Sequence, residues 1–366
     1  MRRFAARRNR FALAVVAGAL LFGGGEVSAA PPTSRLAPPT SELLMEPVIE
    51  PGWQDEEATP WVDAGTAGRW LTYIAVFLML GAVAFGPIAT RAFRQAQSSL
   101  DPLRGRCRSM AIRLGLTGSL LFLFGAVGRL YGQVLAFVFP GDPVVMADVR
   151  LMIVDTSWGH GWQIQVACAI VAGVGFVLAR RSTKWGMPLA WLGALATAVT
   201  LPLTGHAVAA SWSPLLTVPL QALHVLGGGV WLGSLLVVTI VAFSATSGAE
   251  ESDRERIIAE LVHAFSPMAL GGVAVAVALG LVLSVSYIGS WAGLWLTSYG
   301  RVLLVKIALL GIVGLIGAYN WRRVRPRLGT PGSAGVLRLS ARVELLVGAV
   351  LLAATAILVA LPAPHV

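Results

Sequence analysis

Two histidines in this sequence point most directly to chemistry, because both belong to apolar stretches. His224 lies inside an apolar run from about 217 to 243, and His206 closes the preceding run. An ionisable side chain in the middle of a membrane-length run is costly to place, so it is a functional candidate by default. Imidazole binds copper, zinc and haem iron alike. The pair therefore predicts a metal or haem site, and the alternative is a structural histidine bonded to a neighbouring helix.

Small and aromatic residues follow His224 at helical spacing. Gly228 and Trp231 come four and seven residues later, which places them on the same helical face. Glycines leave room for a second helix to approach closely, and this stretch has four of them: Gly227, Gly228, Gly229 and Gly233. The pattern predicts a helix-packing seam beside the histidine.

Other polar residues lie in or near the apolar runs. His160 is a weaker metal candidate than the other two, since its neighbours Trp158 and Trp162 are typical of interfacial anchoring. Positive side chains count against a bare cation site, because a nearby positive charge weakens metal binding. Lysine near a helix end can also extend its ammonium to the membrane surface. The remaining polar candidates for function are Arg129, Gln221, Trp231, Lys306 and Glu344.

The composition is that of an integral membrane protein. Of 366 residues, 56% are hydrophobic and 13% charged, and the mean hydropathy is +0.74. The net charge of +10 does not predict a nucleic-acid partner, because the arginines cluster in short loops between apolar runs. Two cysteines, Cys107 and Cys168, provide no disulfide framework.

The apolar runs predict an all-α bundle with about eight transmembrane helices. Each run is long enough to cross a bilayer, and a helix satisfies its own backbone in lipid. The predicted segments are 69–90, 112–135, 160–180, 186–204, 217–243, 265–288, 301–321 and 341–361. Together they form a transmembrane domain over residues 67–362.

The first part of the chain predicts export. Residues 1–30 combine a basic start, a short apolar run and small residues suited to cleavage, which is typical of a signal peptide. An uncleaved N-terminal anchor is the alternative. Residues 31–66 are rich in proline and acidic residues, and we expect a short periplasmic segment too small to fold alone.

Loop charges predict the orientation. Seventeen Lys and Arg residues flank one set of loops and five flank the other. Since cytoplasmic loops are enriched in Lys and Arg, the first set is cytoplasmic and both mature termini are extracytoplasmic. This orientation places His206, His224 and Lys306 in the outer half of the bilayer, and Glu344 near the cytoplasmic side.

Several motifs resemble those of the bacterial copper resistance protein D (CopD) family. They are TGHA at 204–207, HVLGGGVWLG at 224–233, HAFSPMAL at 263–270, YGRVLLVK at 299–306, NWRR at 320–323, and Glu344 in the last helix. The resemblance covers about residues 69–361. It implies a multi-pass inner-membrane protein that is not an enzyme, and that moves copper from periplasm to cytoplasm. It also implies a separate periplasmic copper-binding carrier, since residues 31–66 hold no histidine and one methionine, Met45.

Two rival functions remain open on sequence grounds. The first is a b-type haem protein that passes electrons, since helix bundles with facing histidines can hold haem. Haem is disfavoured because the inner half has no histidine pair within a helix. The second is a membrane scaffold or copper-delivery factor that transports nothing.

The orientation is testable with topology reporters. We expect reporters inserted in the loops 91–111 and 322–340 to give cytoplasmic signals, because the arginines concentrate there. Reporters near His206 or at Val366 should give periplasmic signals. A periplasmic signal from the loop at 322–327 would reverse the orientation.

Overall fold

The computed structural model of the protein describes residues 63–94, 101–139, 142–208, 212–330 and 332–362. The predicted signal peptide, residues 1–30, and nearly all of the segment 31–66 lie outside these residues.

Helices make up all of the regular secondary structure in the described ranges. Eight of them are long and apolar enough to cross a membrane, which confirms the all-α multi-pass bundle predicted from the sequence. They are α1 (Ala64–Ala92), α2 (Asp101–Leu135), α3 (Ser157–Arg180), α4 (Gly186–Thr204), α5 (Pro214–Ser244), α6 (Glu251–Ile288), α7 (Ser298–Arg327) and α8 (Ser333–Ala360). Two short helices, Met146–Val154 and Gly293–Leu296, lie in the connections before α3 and α7.

Several helices begin earlier than the hydropathy pattern predicts. Helix α6 begins at Glu251 rather than near 265, and α8 begins at Ser333 rather than near 341. The added turns carry Glu and Arg residues, which hydropathy excludes from a membrane span but which form helix well. Acidic residues in the first turn of α6, Glu251 and Asp253, also suit the positive end of its dipole.

Two helices contain a π-helical segment that the sequence pattern does not reveal. Residues Gly229–Gly233 form one within α5, and Asn320–Val324 form the other near the end of α7. A π segment widens the helix locally and changes the direction of the side chains that follow, and such segments are frequent at functional sites.

Burial separates central helices from peripheral ones. Of the most apolar 18 residues of each helix, 67% are buried inside the protein in α1 and in α5, but 17% in α6 and 11% in α7. Helices α1 and α5 therefore form the centre of the bundle, and α6 and α7 direct most of their apolar side chains outward.

Side-chain contacts show which helix ends lie together. His206 contacts Tyr287 near the end of α6 and Tyr299 near the start of α7. At the other end of α7, Asn320 contacts Glu344 in the first half of α8. Helices α6, α7 and α8 are thus successively antiparallel. We refer to the end that contains His206 as the His206 end, and to the other as the Glu344 end.

The closest helix contact joins the two central helices. A Cβ atom built on Gly81 of α1 would lie 2.0 Å from the Gly233 carbonyl oxygen of α5, and one built on Gly233 would lie 2.1 Å from the Phe77 carbonyl oxygen. Real Cβ atoms do not approach backbone this closely, so the two helices pack at this distance because both positions are glycine.

This contact generates a stability prediction. Replacing Gly233 by Ala should lower the thermal unfolding temperature of the detergent-purified protein, because the new methyl group must push α1 and α5 apart. Overpacking of this kind costs about 1–3 kcal/mol. The control is Gly314→Ala in α7, where a built Cβ atom has no neighbour within 4 Å. Equal melting temperatures for the two variants would contradict the packing argument.

Candidate functional site

His224 lies in α5 against the middle of α6. Its ring is partly buried, and its Nδ1 lies 2.7 Å from the Ala276 carbonyl oxygen. A carbonyl only accepts hydrogen bonds, so Nδ1 carries the proton and donates it. The Nε2 lone pair is then free for a metal ion, because the bond made by one imidazole nitrogen sets the role of the other. A Cβ atom on Gly280 would lie 2.9 Å from the His224 Cε1, so this glycine makes space for the ring.

The glycine-rich stretch after His224 packs on two helices. A Cβ atom on Gly227 would lie 2.8 Å from the Gly272 carbonyl oxygen of α6, which brings the α5 and α6 backbones close together. Gly228 and Gly229 instead pack against Phe77 and Leu80 of α1. The sequence predicts a single packing face after His224. In the structure these glycines contact two different helices, because α5 lies between α1 and α6.

Trp231 belongs to this packing rather than to a polar site. It is buried in an apolar cluster with Ala269 of α6, Val313 of α7 and Leu352 of α8. Its backbone nitrogen would lie 3.0 Å from a Cβ atom built on Gly272. The indole thus holds α5 against three neighbours on the Glu344 side of His224.

Lys306 of α7 acts electrostatically on His224. No hydrogen bond or ion pair of Lys306 occurs among the residues that the structure describes. Gln221 lies one helical turn before His224 and is partly buried. A positive charge near an imidazole disfavours the binding of a cation there.

His206 lies in a short 3₁₀ turn between α4 and α5. Its ring centroid is 6.3 Å from that of Tyr287 and 6.2 Å from that of Tyr299, and both contacts are edge-to-face. The Thr217 hydroxyl of α5 donates a hydrogen bond to the adjacent Ala207 carbonyl and holds the turn in place. Within the described residues, the buried His206 Nε2 has no hydrogen-bond partner.

Burial determines the charge of His206. It lowers the pKa of the imidazole below its ordinary value, although the carbonyls of Leu358, Leu361 and Val359 at the end of α8 act in the opposite direction. The ring is therefore neutral at neutral pH. Neutral imidazole is the form that coordinates metal ions.

The two imidazoles contact α6 at different depths. His224 lies against Gly280 and His206 against Tyr287, seven residues further along the helix. At 1.5 Å per residue this separates the contacts by about 10 Å. The rings follow one another along α6 rather than lying side by side. In the described ranges, no group of three or more His, Cys, Asp or Glu side chains has the arrangement of a metal site.

The third candidate histidine, His160, differs from the other two in its exposure. His160 is exposed at the start of α3, and the structure gives its ring no polar partner among the residues it describes.

Arg129 forms a separate polar network at the His206 end of α2, α3 and α4. Its Nη1 donates to Gln165 Oε1 at 2.9 Å, and its Nη2 donates to the Thr204 hydroxyl. Gln165 also donates to the Thr200 carbonyl at 2.9 Å. The guanidinium lies 5.9 Å from the centre of the Trp158 ring. This network joins three helices through neutral acceptors, a structural role that the residue types alone do not predict.

Glu344 lies in a third polar group near the opposite end of the bundle. Its Oε2 accepts a hydrogen bond of 3.0 Å from Asn320 Nδ2, and Ser340 donates to Asn320 Oδ1. Lys306 is not its partner, as the antiparallel course of α7 and α8 predicts.

The sequence does not reveal which polar side chains contact one another. Tyr287 and Tyr299 make edge-to-face contacts with His206, and Tyr299 is the first residue of the YGRVLLVK motif. Ser340 lies four residues before Glu344, and this spacing indicates that the two side chains share one face of the helix.

Comparison with known proteins identifies two family regions. A model described as the N-terminal domain of copper resistance protein D-like proteins matches residues 61–215, and the copper resistance protein D model matches residues 259–358. His206 falls in the first region, and Lys306 and Glu344 fall in the second. Helix α5, with His224, lies largely between them.

A curated relative has a related name. The copper transport protein CutJ of Bacillus subtilis (strain 168) is 26% identical over 223 residues, which are 59% of this chain and 39% of that protein. The match thus spans well under half the length of the relative. No solved structure matches this chain.

The two family models leave residues 216–258 unmatched, a stretch that contains nearly all of α5. Between them they include all or most of seven of the eight membrane-spanning helices. On this evidence the chain belongs to the copper resistance protein D family.

Proposed function

We propose that this chain carries copper across the inner membrane, from the periplasm to the cytoplasm, and that His206 and His224 bind the ion in turn. The observation that supports the proposal is the arrangement of the two imidazoles along α6. Among the residues that the structure describes, the buried His206 Nε2 has no hydrogen-bond partner, and the Nδ1 bond of His224 leaves its Nε2 available. Membership of a copper resistance family favours copper over other ions that imidazole binds.

The electrostatics suit passage rather than storage. A conducted ion must bind well enough to enter and weakly enough to leave. His206 offers a neutral ring, with carbonyls at the end of α8 close by. The Lys306 charge then opposes tight retention at His224.

The proposed direction of movement, from periplasm to cytoplasm, is the one that the resemblance to the copper resistance protein D family implies. The arginine count places the His206 end outside, so copper would reach His206 first and His224 about two helical turns deeper. A separate periplasmic copper-binding protein is the proposed source of the ion.

Replacing either histidine tests this proposal. Cells that express His206→Ala or His224→Ala should need about tenfold more external copper than wild type for equal accumulation. Loss of a ligand weakens a metal site at least as much as loss of a second-shell partner, which costs roughly 10–100-fold. Copper is measured by mass spectrometry of washed cells at matched membrane abundance.

The matched control is His263→Ala, which removes an exposed imidazole near the start of α6. It should accumulate copper like wild type. If the two site variants also match wild type, the histidines are structural and the proposed pathway is wrong.

The absorption spectrum distinguishes transport from the haem alternative. We expect no Soret band in protein purified from haem-replete cells, because the two imidazoles contact α6 at positions about 10 Å apart along its axis. A stoichiometric band that disappears in His224→Ala would contradict the transport proposal and support an electron carrier.

Reconstitution distinguishes transport from the scaffold alternative. Purified protein in liposomes should carry copper to the interior without any partner, whereas a scaffold or delivery factor should not.

A further inference from the structure

A chain of three polar side chains joins α7 to α8 near the Glu344 end of the bundle. Ser340 donates to Asn320 Oδ1, and Asn320 Nδ2 donates to Glu344 Oε2 at 3.0 Å. Ser340 and Glu344 lie one turn apart on the same face of α8. Asn320 is the first residue of the π-helical segment in α7, where the widened turn begins.

Glu344 is buried, with 6% of its surface exposed. Asn320 is its one recorded hydrogen-bond donor within the described ranges, and no cation pairs with it there. An isolated carboxylate in such a place is costly, and an ionisable residue within a membrane helix is a functional candidate by default.

The charged residues of α7 and α8 are directed elsewhere. Arg338 of α8 lies 4.7 Å from the ring centre of Phe243 in α5, and Arg325 of α7 lies 4.2 Å from that of Trp321. The other charged or titratable groups near this end of the two helices are exposed: Tyr319, Arg322, Arg323, Arg327 and Arg342. Lys306 precedes Asn320 by fourteen residues, or about 21 Å along α7.

Among the residues that the structure describes, the other helices that contact α8 supply no counter-ion either. In α1, Arg91 is exposed, while Arg69 and Tyr73 lie toward the His206 end. In α5 the single titratable residue is His224. In α6, the titratable residues before the membrane centre all lie in the first four turns: Glu251, Asp253, Arg254, Glu255, Arg256, Glu260 and His263. Of these, Glu255 accepts a hydrogen bond from the Gly332 backbone N–H.

The surroundings support both protonation forms of Glu344. Burial without a cation favours the neutral acid, and the Asn320 amide donor favours the carboxylate. The second oxygen, Oε1, faces Gly317 of α7. A Cβ atom built on that glycine would have Oε1 as its single neighbour within 4 Å, at 3.8 Å. The missing side chain of Gly317 leaves space beside this oxygen.

We propose that Glu344 is a proton-binding site, and that it takes up and releases one proton in each transport cycle, with Asn320 as its positioning residue. This proposal rests on the proposed copper transport, because the transport cycle is a cycle of copper movement. The proton is then a second ligand, bound at the end of the bundle opposite the histidines. Its movement is the process that we propose to be coupled to copper movement.

Infrared spectroscopy of the purified full-length protein tests proton binding without copper. Wild type should show a carboxylic-acid carbonyl band that disappears as pH rises, and Glu344→Gln should lack this band. In Asn320→Ala the band should persist to higher pH, because the donor that stabilises the carboxylate is gone. A purely structural role for Asn320 would not move this titration. Identical titrations in wild type and Glu344→Gln would overturn the proposal.

Proteoliposomes test the coupling. Copper chloride, with and without ascorbate, is added outside, and internal copper and internal pH are recorded. Wild type should show a pH change that accompanies uptake, and an uptake rate that depends on an imposed pH difference. Glu344→Gln should lose both responses while copper still binds. If this variant keeps both responses, Glu344 does not carry the proton.

The outcomes for the two proposals are distinguishable. If the histidine variants transport copper like wild type, the histidine pathway fails, whatever Glu344 does in the infrared experiment. If the histidine variants lose transport while Glu344→Gln remains coupled, the pathway stands and the proton site fails.

Discussion

The backbone contact between Gly81 of α1 and Gly233 of α5 sets the position of the helix that carries His224. Because no side chain separates the two backbones, α5 lies deep between α1 and α6. Its glycines Gly227 and Gly229 then meet α6 and α1 respectively. In lipid, helix association depends on close packing rather than on the hydrophobic effect. The depth and direction of His224 are thus consequences of where α5 has no side chains.

Sequence reasoning succeeded where one physical rule dominates. The bilayer requires long apolar helices, so the eight spans could be predicted from hydropathy, and the structure confirms them. Helix starts such as Glu251 were misplaced because charged turns continue a helix beyond the apolar core. The π-helical segments at 229–233 and 320–324 were missed because they depend on tertiary packing, and hydropathy does not record it.

The candidate site was predictable in its residues and not in its arrangement. His206 and His224 stand out in sequence because titratable groups are rare in apolar runs. That they lie at different depths depends on which residues of α6 face them, Tyr287 and Gly280, and this requires the fold. The partners of Arg129 and Glu344 were likewise hidden, since amides and hydroxyls such as Gln165, Asn320 and Ser340 are common in helices that have no polar site.

The length of α6 restricts how the protein can move. Its 38 residues measure about 57 Å, whereas the hydrocarbon core of a bilayer is about 30 Å thick. The ionic turns at its start cannot enter the hydrocarbon, so the helix cannot slide along its own axis like a piston. If the proposed copper route passes His224, tilting or rotation of the neighbouring helices can open it while these ionic turns stay outside the hydrocarbon.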